Sequence, residues 1–165
     1  MPPSVLTVVL LGLLSCRGDQ AAQRRTAAAH DAAYAGVQDR GEVAMGVDQY
    51  TSSHVFEPLP DGGRIALQRD TDDSAGTAVI RRHMEHIAAR FDAGDFRLPG
   101  YVHARAVPGT DVMSARKEAI TYTVESLPRG AAVRVQSADP SAVRAIHAFL
   151  AFQREDHHVA AHPGE

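Results

Sequence analysis

The sequence predicts an α+β domain of ββαββα order, in which a four-stranded antiparallel sheet carries two helices on one face. A turn motif carries much of this prediction, because Leu59-Pro60-x-Gly62 recurs 68 residues later as Leu127-Pro128-x-Gly130. Each turn lies between two short runs of strand-forming residues, and an amphipathic helical pattern follows each pair. Such short hairpins join antiparallel strands, which excludes an all-parallel sheet. We interpret the repetition as an internal duplication.

The N-terminal segment is typical of a secretory signal. Val5–Leu14 is a run of ten almost wholly apolar residues, too short for a membrane-spanning helix of about 20 residues. Leu13-Leu14-Ser15-Cys16 resembles a bacterial lipobox, and Cys16 is the single cysteine of the chain. We therefore expect residues 1–16 to be a lipoprotein signal peptide with lipidation at Cys16. Ordinary cleaved secretion and an unprocessed start are the alternatives.

Residues 17–41 are rich in Ala, Gln, Arg and Asp and contain few bulky apolar residues. Such a segment buries little surface, so we expect a flexible or partly helical tether ahead of a single domain over residues 42–158. Residues 159–165 are expected to be a disordered tail. Together these predictions place the protein in the bacterial cell envelope, anchored to the membrane through Cys16 and facing the periplasm.

The first hairpin and helix of the domain follow this tether. Met45–Pro58 is rich in strand formers, Pro60-Asp61-Gly62-Gly63 supplies the turn, and Arg64–Gln68 alternates as a strand does. Asp72-Asp73-Ser74 then offers an N-cap. Apolar residues at helical spacing follow this cap and predict an amphipathic helix, namely Ile80, Met84, Ile87 and Phe91.

The second hairpin comes after a long connection. Gly94 is a natural helix stop, and residues 96–113 contain two Pro-Gly pairs, so we expect no regular element there. Ala119–Glu125 is expected to be a strand, Leu127-Pro128-Arg129-Gly130 a turn, and Ala131–Gln136 the last strand.

The last helix begins at Asp139-Pro140-Ser141, where an N-cap residue precedes proline at the first helical position. Its core face is expected to contain Val143, Ile146 and Leu150. Phe149 and Phe152 lie off this stripe, and we expect both side chains to be exposed.

Composition excludes some functions. The net charge is −3, so the chain has no basic excess for nucleic acid, and it contains no tryptophan. No G-x-S-x-G, P-loop, G-x-G-x-x-G or C-x-x-C-H motif is present. The unusual feature is the number of histidines, nine in 165 residues.

The repeat places two of these histidines near the core. His54 and Phe56 alternate with exposed strand positions, so both are expected to face the helices. His147 lies on or beside the core face of the last helix. Their counterparts in the other half are Tyr122 for His54 and Met84 for His147.

The remaining histidines are spread along the chain. His83 flanks the apolar stripe of the first helix and lies three residues before His86, a spacing that allows shared metal ligation or a solvated edge. The metal ligands that we predict are His54, His103 and His147, with His83 in support. Imidazole suits Zn and Cu, so Cu or Zn is the expected cofactor. The alternative is that each is a core histidine bonded to a polar neighbour. Three histidines are expected in a frayed tail, namely His157, His158 and His162.

Several motifs resemble a group of uncharacterised secreted bacterial proteins. They cover residues 43–158 and contain Met45-Gly-Val-Asp-Gln49, Ser53-His54-Val55-Phe56, Ile80-Arg-Arg-His-Met-Glu-His-Ile-Ala88, Val102-His103 and Ala145-Ile-His-Ala-Phe-Leu-Ala-Phe-Gln153 with Asp156-His157. The resemblance implies a single envelope domain in which His54, His83, His86, His103, His147 and His157 are matching positions, and it implies no reaction.

Three functions follow from these patterns. The first is a non-catalytic binding domain, which binds a transition metal through histidines. The second is a structural or protein-interaction module, in which Phe149 and Phe152 form a homodimer or a contact with another envelope protein. The third is a hydrolase or lyase that uses His103 with Asp95 or Glu85. No nucleophile is specified, so we favour a protein that is not an enzyme.

Overall fold

The computed structural model describes residues 12–157. Residues 1–11 and 158–165 lie outside this range, and with them most of the predicted signal peptide and the whole predicted tail. The chain divides after Ala35 into two compact units. Helix α1 is Gly12–Met45, and its residues up to Ala35 make up the described part of the first unit. No helix within residues 12–157 has the length and apolar character that crossing a membrane requires.

The second unit begins at Gly36 and is the α+β domain that the sequence predicts. After the last turns of α1 the chain forms β1 (Ser52–Leu59), β2 (Gly62–Arg69), α2 (Ser74–Asp92), α3 (Arg97–His103), α4 (Thr110–Ala115), β3 (Ile120–Leu127), β4 (Gly130–Ser137) and α5 (Pro140–Asp156). Short 3₁₀ turns precede β1 and β3, at Gln49–Thr51 and Lys117–Ala119.

The sheet has the order β1-β2-β4-β3, and all of its neighbours are antiparallel. The pairing of residues across the sheet follows the same offset of 68 residues that separates the two turn motifs. In the central pair Gly62 faces Gln136, and Gln68 faces Gly130, so exchanging residues 68 positions apart leaves the pairing unchanged. The two hairpins also have the same register, since Leu59 faces Gly62 in the first and Leu127 faces Gly130 in the second. Their origin by duplication stays a prediction.

Helices α2 and α5 begin at the caps that the sequence predicts. The Asp73 carboxylate accepts a hydrogen bond from the Gly76 N–H at 2.9 Å, and the Asp139 carboxylate accepts one from the Ser141 N–H at 2.7 Å. Each such cap contributes about 1 kcal/mol.

One face of the sheet carries both helices, as predicted. Helix α2 lies mainly on β3 and β4, and α5 lies on β1 and β2. The helices bury their apolar stripes against the sheet, and each fully buried large side chain contributes about 1.5–3 kcal/mol. The fully buried side chains of this core include Ile80, Met84, Phe91, Ile146, Leu150, Leu67, Val133 and Val135.

The approach of α5 to β2 depends on Gly63. A Cβ atom at this position would lie 2.2 Å from Leu150 Cδ1, which is far inside contact distance. The close fit of helix to sheet therefore requires glycine here.

Two expectations about the helical layer are wrong. Residues 96–113 are largely helical, whereas no regular element was expected there. The prediction failed because α3 and α4 are too short to show a periodic pattern, and because Pro99 is tolerated in the first turn of α3. Phe149 is only 2% exposed, because it packs edge-on against Phe91 and Phe96, with ring centroids 5.9 and 6.3 Å away. Phe152 is half-buried.

Candidate functional site

A cavity of about 80 Å³ lies within the second unit. Its lining is mostly apolar, and it combines residues from the last turns of α1, from β1 and β2, and from α2, α3 and α5. Four histidines line it: His54, His83, His103 and His157. They come from β1, α2, α3 and the end of α5, and the fold brings these distant segments to one place.

His54 enters the cavity from β1. The strand alternates, so His54 and Phe56 share the face that the helices cover, and their rings stack in parallel with centroids 5.6 Å apart. Burial lowers the pKa of His54 to about 3, and the neighbouring His157 and His83 act in the same direction. The imidazole is therefore neutral at pH 7.

His83 reaches the same cavity from α2 and is half-buried. Burial lowers its pKa to about 4, with a further contribution from His86, while a hydrogen bond to the backbone of Ala44 acts in the opposite direction. His86 itself is exposed, and its Nε2 accepts a hydrogen bond from Arg90 Nε at 2.7 Å. The two helical histidines thus do not converge, and only His83 belongs to the cavity.

His157 follows the last residue of α5 and lines the cavity. Its ring centroid lies 5.0 Å from that of His54, 5.5 Å from Phe56 and 5.1 Å from His103. The expectation that His157 lies in a frayed tail is therefore wrong. The prediction failed because the helical pattern of α5 weakens at its C-terminal end, and because the sequence does not show that this end packs against β1.

His103 is held at both ring nitrogens. Its Nδ1 contacts the carboxylate of Asp156, to which Arg105 also donates, and its Nε2 lies 2.9 Å from Gln153 Oε1. The side chain is 1% exposed and packs edge-on against Phe152. His103 is therefore a hydrogen-bonded core histidine that ties α3 to α5 beside the cavity.

The acid partners expected for His103 lie elsewhere. Asp95 is bound by Arg90 at 2.9 Å and by Arg97 at 2.8 Å, and Arg97 holds the pKa of this carboxyl well below its usual range. Glu85 is exposed on α2. The expected pairing of His103 with Asp95 or Glu85 is thus wrong, since the carboxylate that contacts His103 is Asp156.

His147 does not join the other predicted ligands. Its Nε2 lies 2.9 Å from the carbonyl oxygen of Leu59, at the turn end of β1. Helix α5 runs along β1, so the ten residues from 147 to 157 span about 15 Å and only the far end reaches His54. The counterpart of His147 in the other half, Met84, does line the cavity.

Other polar and soft atoms of the lining are Gln49 and the thioethers of Met45 and Met84. Gln49 Nε2 donates to the carbonyl oxygen of Gln38 at 2.9 Å, whereas its Oε1 is buried with no hydrogen-bond partner among the described residues. A buried acceptor without a donor costs about 1–3 kcal/mol. A guest that carries a donor or a positive charge would remove this cost.

Over residues 12–157, no three His, Cys, Asp or Glu side chains form a group that could hold a metal ion. The cavity therefore contains imidazoles and thioethers, but it does not contain a preformed metal site made of three such His, Cys, Asp or Glu ligands. No protein-family model, curated protein or solved structure matches the chain.

Sequence reasoning missed Gln49, Gln153 and Asp156 as parts of this site. A usable signal was present for two of them, because Gln153, Asp156 and His157 fall at i, i+3 and i+4 on one helical face. Gln49 gives no such signal, because it is held by backbone carbonyls of α1.

Proposed function

We propose that the chain is a bacterial envelope lipoprotein whose globular domain is a non-catalytic binding domain, and that it holds one transition-metal ion in the histidine-lined cavity. The observation that carries this proposal is that His54, His83 and His157 line one small cavity together with two thioethers, although these histidines do not form a preformed three-ligand group. They come from β1, α2 and the end of α5, so the folded domain is needed to assemble them.

Two of these imidazoles have the protonation state that metal binding requires. A metal binds the neutral ring, and protons compete with it. Because the pKa of His54 is lowered to about 3 and that of His83 to about 4, both rings are neutral at pH 7 without a metal. Metal entry would therefore not have to displace a proton from either one.

The size of the cavity favours an ion over an organic ligand. Pockets for drug-sized molecules have volumes of about 300–1,000 Å³. The cavity of about 80 Å³ is smaller than these pockets, which favours a small guest. An ion bound directly by side chains is such a guest.

The lining also supports binding rather than catalysis. No hydroxyl, thiol or carboxylate side chain is among the described residues that line the cavity. His103, the histidine with a carboxylate partner, has both ring nitrogens in contact with Asp156 and Gln153. A reaction would thus lack a hydroxyl, thiol or carboxylate nucleophile.

The envelope location is supported by the sequence alone, through the apolar run Val5–Leu14 and the lipobox-like Leu13-Leu14-Ser15-Cys16. Labelling of growing cells with a radioactive fatty acid tests it. We expect incorporation into the wild-type chain and none into Cys16→Ala. A wild-type chain without label would contradict the lipid anchor and leave the cavity argument untouched.

Metal analysis of the full chain, purified in detergent without a histidine tag, tests the binding proposal. We expect about one tightly held ion per chain after dialysis against Cu or Zn, and its loss in His54→Leu/His83→Leu. The matched control is His147→Gln, whose histidine lies outside the cavity and whose replacement should leave the ion in place. Circular dichroism checks that each variant is folded. A folded wild-type chain that holds no ion would refute the proposal and favour an interaction module.

A further inference from the structure

We infer that the ion this cavity takes is monovalent copper, bound by the imidazoles of His54 and His157 and by the thioether of Met84. This inference rests on the proposed metal binding and specifies its ion and its ligands. The argument depends on the spacing of the two rings, on the absence of anionic groups from the described lining, and on the placement of the thioethers.

The spacing of the two rings suits a shared ion. With metal–nitrogen bonds of about 2.0 Å and a tetrahedral angle, two imidazoles on one ion have ring centroids about 5 Å apart. The centroids of His54 and His157 are 5.0 Å apart. His157 also contacts Phe56 and His103, which hold the ring in the cavity.

The charge of the lining favours a monovalent ion. The described residues that line the cavity include no carboxylate and no cysteine, and the Asp156 carboxylate beside the cavity is shared by His103 and Arg105. The cost of moving an ion from water into an apolar surrounding rises with the square of its charge, so a divalent ion pays about four times the penalty of a monovalent one. Zn²⁺ would be left in this cavity with its full charge uncompensated, whereas Cu⁺ would leave a single charge.

The softness of the lining agrees with this choice. Met84 is 2% exposed and Met45 is 8% exposed, and both line the cavity. Thioether sulfur is a soft ligand that selects monovalent copper over harder ions. We assign the ligand role to Met84 because it follows His83 on α2 and is the more deeply buried of the two.

The competing explanation is that Met84 only fills space, as methionine often does in cores. Met113 provides the matched control, because it is also fully buried but is not among the cavity residues. Replacement of methionine by leucine conserves volume, so both Met84→Leu and Met113→Leu should fold. Only the first of them would lose a metal ligand.

Competition titrations of the full chain in detergent test the inference, with Cu⁺ under anaerobic conditions against a chromophoric copper chelator, and with Zn²⁺ against a zinc chelator in parallel. We expect one Cu⁺ per chain, held more tightly than Zn²⁺, an affinity at least tenfold weaker in Met84→Leu, and an unchanged affinity in Met113→Leu. X-ray absorption of the copper-loaded wild type should show sulfur in the coordination shell.

Four results would overturn the inference. Tighter binding of Zn²⁺ than Cu⁺, a copper spectrum without sulfur, or unchanged copper affinity in folded Met84→Leu would each refute it, and the proposed function would stand as long as His54→Leu/His83→Leu loses the ion. Binding of neither ion would refute the inference and the proposed function together. If Met84→Leu does not fold, the sulfur signal decides the case, because it should persist in Met45→Leu when Met84 is the ligand and vanish when Met45 is.

Discussion

Acid should destabilise the metal-free domain well before its carboxylates are protonated. The folded domain keeps His54 neutral down to about pH 3 and His83 neutral down to about pH 4, whereas each ring has a pKa of 6.5 in the unfolded chain. Between these values the unfolded chain binds protons that the folded chain excludes. Folded stability is therefore fully present above about pH 6.5 and is lost as the pH falls.

The magnitude follows from the two pKa shifts. At pH 5 the pH is about 1.5 units below the pKa of each ring in the unfolded chain, and one unit corresponds to about 1.36 kcal/mol. Each histidine therefore lowers the free energy of unfolding by at most about 2 kcal/mol. Together they cost at most about 4 kcal/mol, a large part of the 5–15 kcal/mol typical of a domain. Both side chains are only half-buried, which makes these values upper bounds.

Denaturant unfolding followed by circular dichroism at pH 7 and pH 5, with a chelator present, measures this loss. The wild type should lose about 2–4 kcal/mol, and His54→Leu and His83→Leu should each remove about half of the loss. Met113→Leu, which removes no titratable group, is the control, and its pH dependence should match the wild type. The paired carboxylates Asp95 and Asp139 contribute only at lower pH, because their pKa values are lowered in the folded domain. A wild type that loses less than about 1 kcal/mol, or variants that keep the full loss, would refute the reasoning.

Three further substitutions test the surroundings of the cavity. Gly41→Ala should cost about 1–3 kcal/mol, because its Cβ would lie 1.5 Å from Gln49 Nε2, whereas Gly36→Ala meets only the flexible end of Arg40 and should be neutral or stabilising by up to about 1 kcal/mol in the same denaturant assay. Asp156→Asn should cost about 1–3 kcal/mol, because it removes the charge that His103 and Arg105 share, and the exposed Asp111→Asn should be neutral; an equal loss in both would contradict this. Tyr122→Phe should be neutral or stabilising by up to about 1 kcal/mol, because the buried Tyr122 hydroxyl has no hydrogen-bond partner among the described residues, and a clear loss on thermal unfolding would argue against this.

The sheet and the long helices were predictable because their signals are local. The turn at Pro60-Asp61 and the caps at Asp73 and Asp139 follow from the chemistry of a few neighbouring residues, and the structure confirms them. The inward orientation of His54 needs only strand alternation. These signals involve no contact between distant parts of the chain.

The remainder of the site depends on contacts between distant parts of the chain. Phe149 lies off the apolar stripe of α5, and the positions of Phe91 and Phe96 explain its burial. The same holds for His157, which reaches His54 because α5 packs on β1 with its C-terminal end near His54. His147 has an equally good helical position, but it meets the end of β1 instead. Sequence periodicity gives the face of a helix and does not give the place where its end arrives.

The strand order also has a consequence for the folding rate. Each hairpin closes locally, on a timescale of about 1–10 μs for such elements. The central pairing of β2 with β4 joins residues 62 to 74 positions apart, so the entropy of closing this long loop is lost before any contact between the strands offsets it. The slow step of folding is therefore the joining of the two ββα halves along β2 and β4. Substitutions in that seam should slow folding, while substitutions in β1 and β3 should mainly speed unfolding.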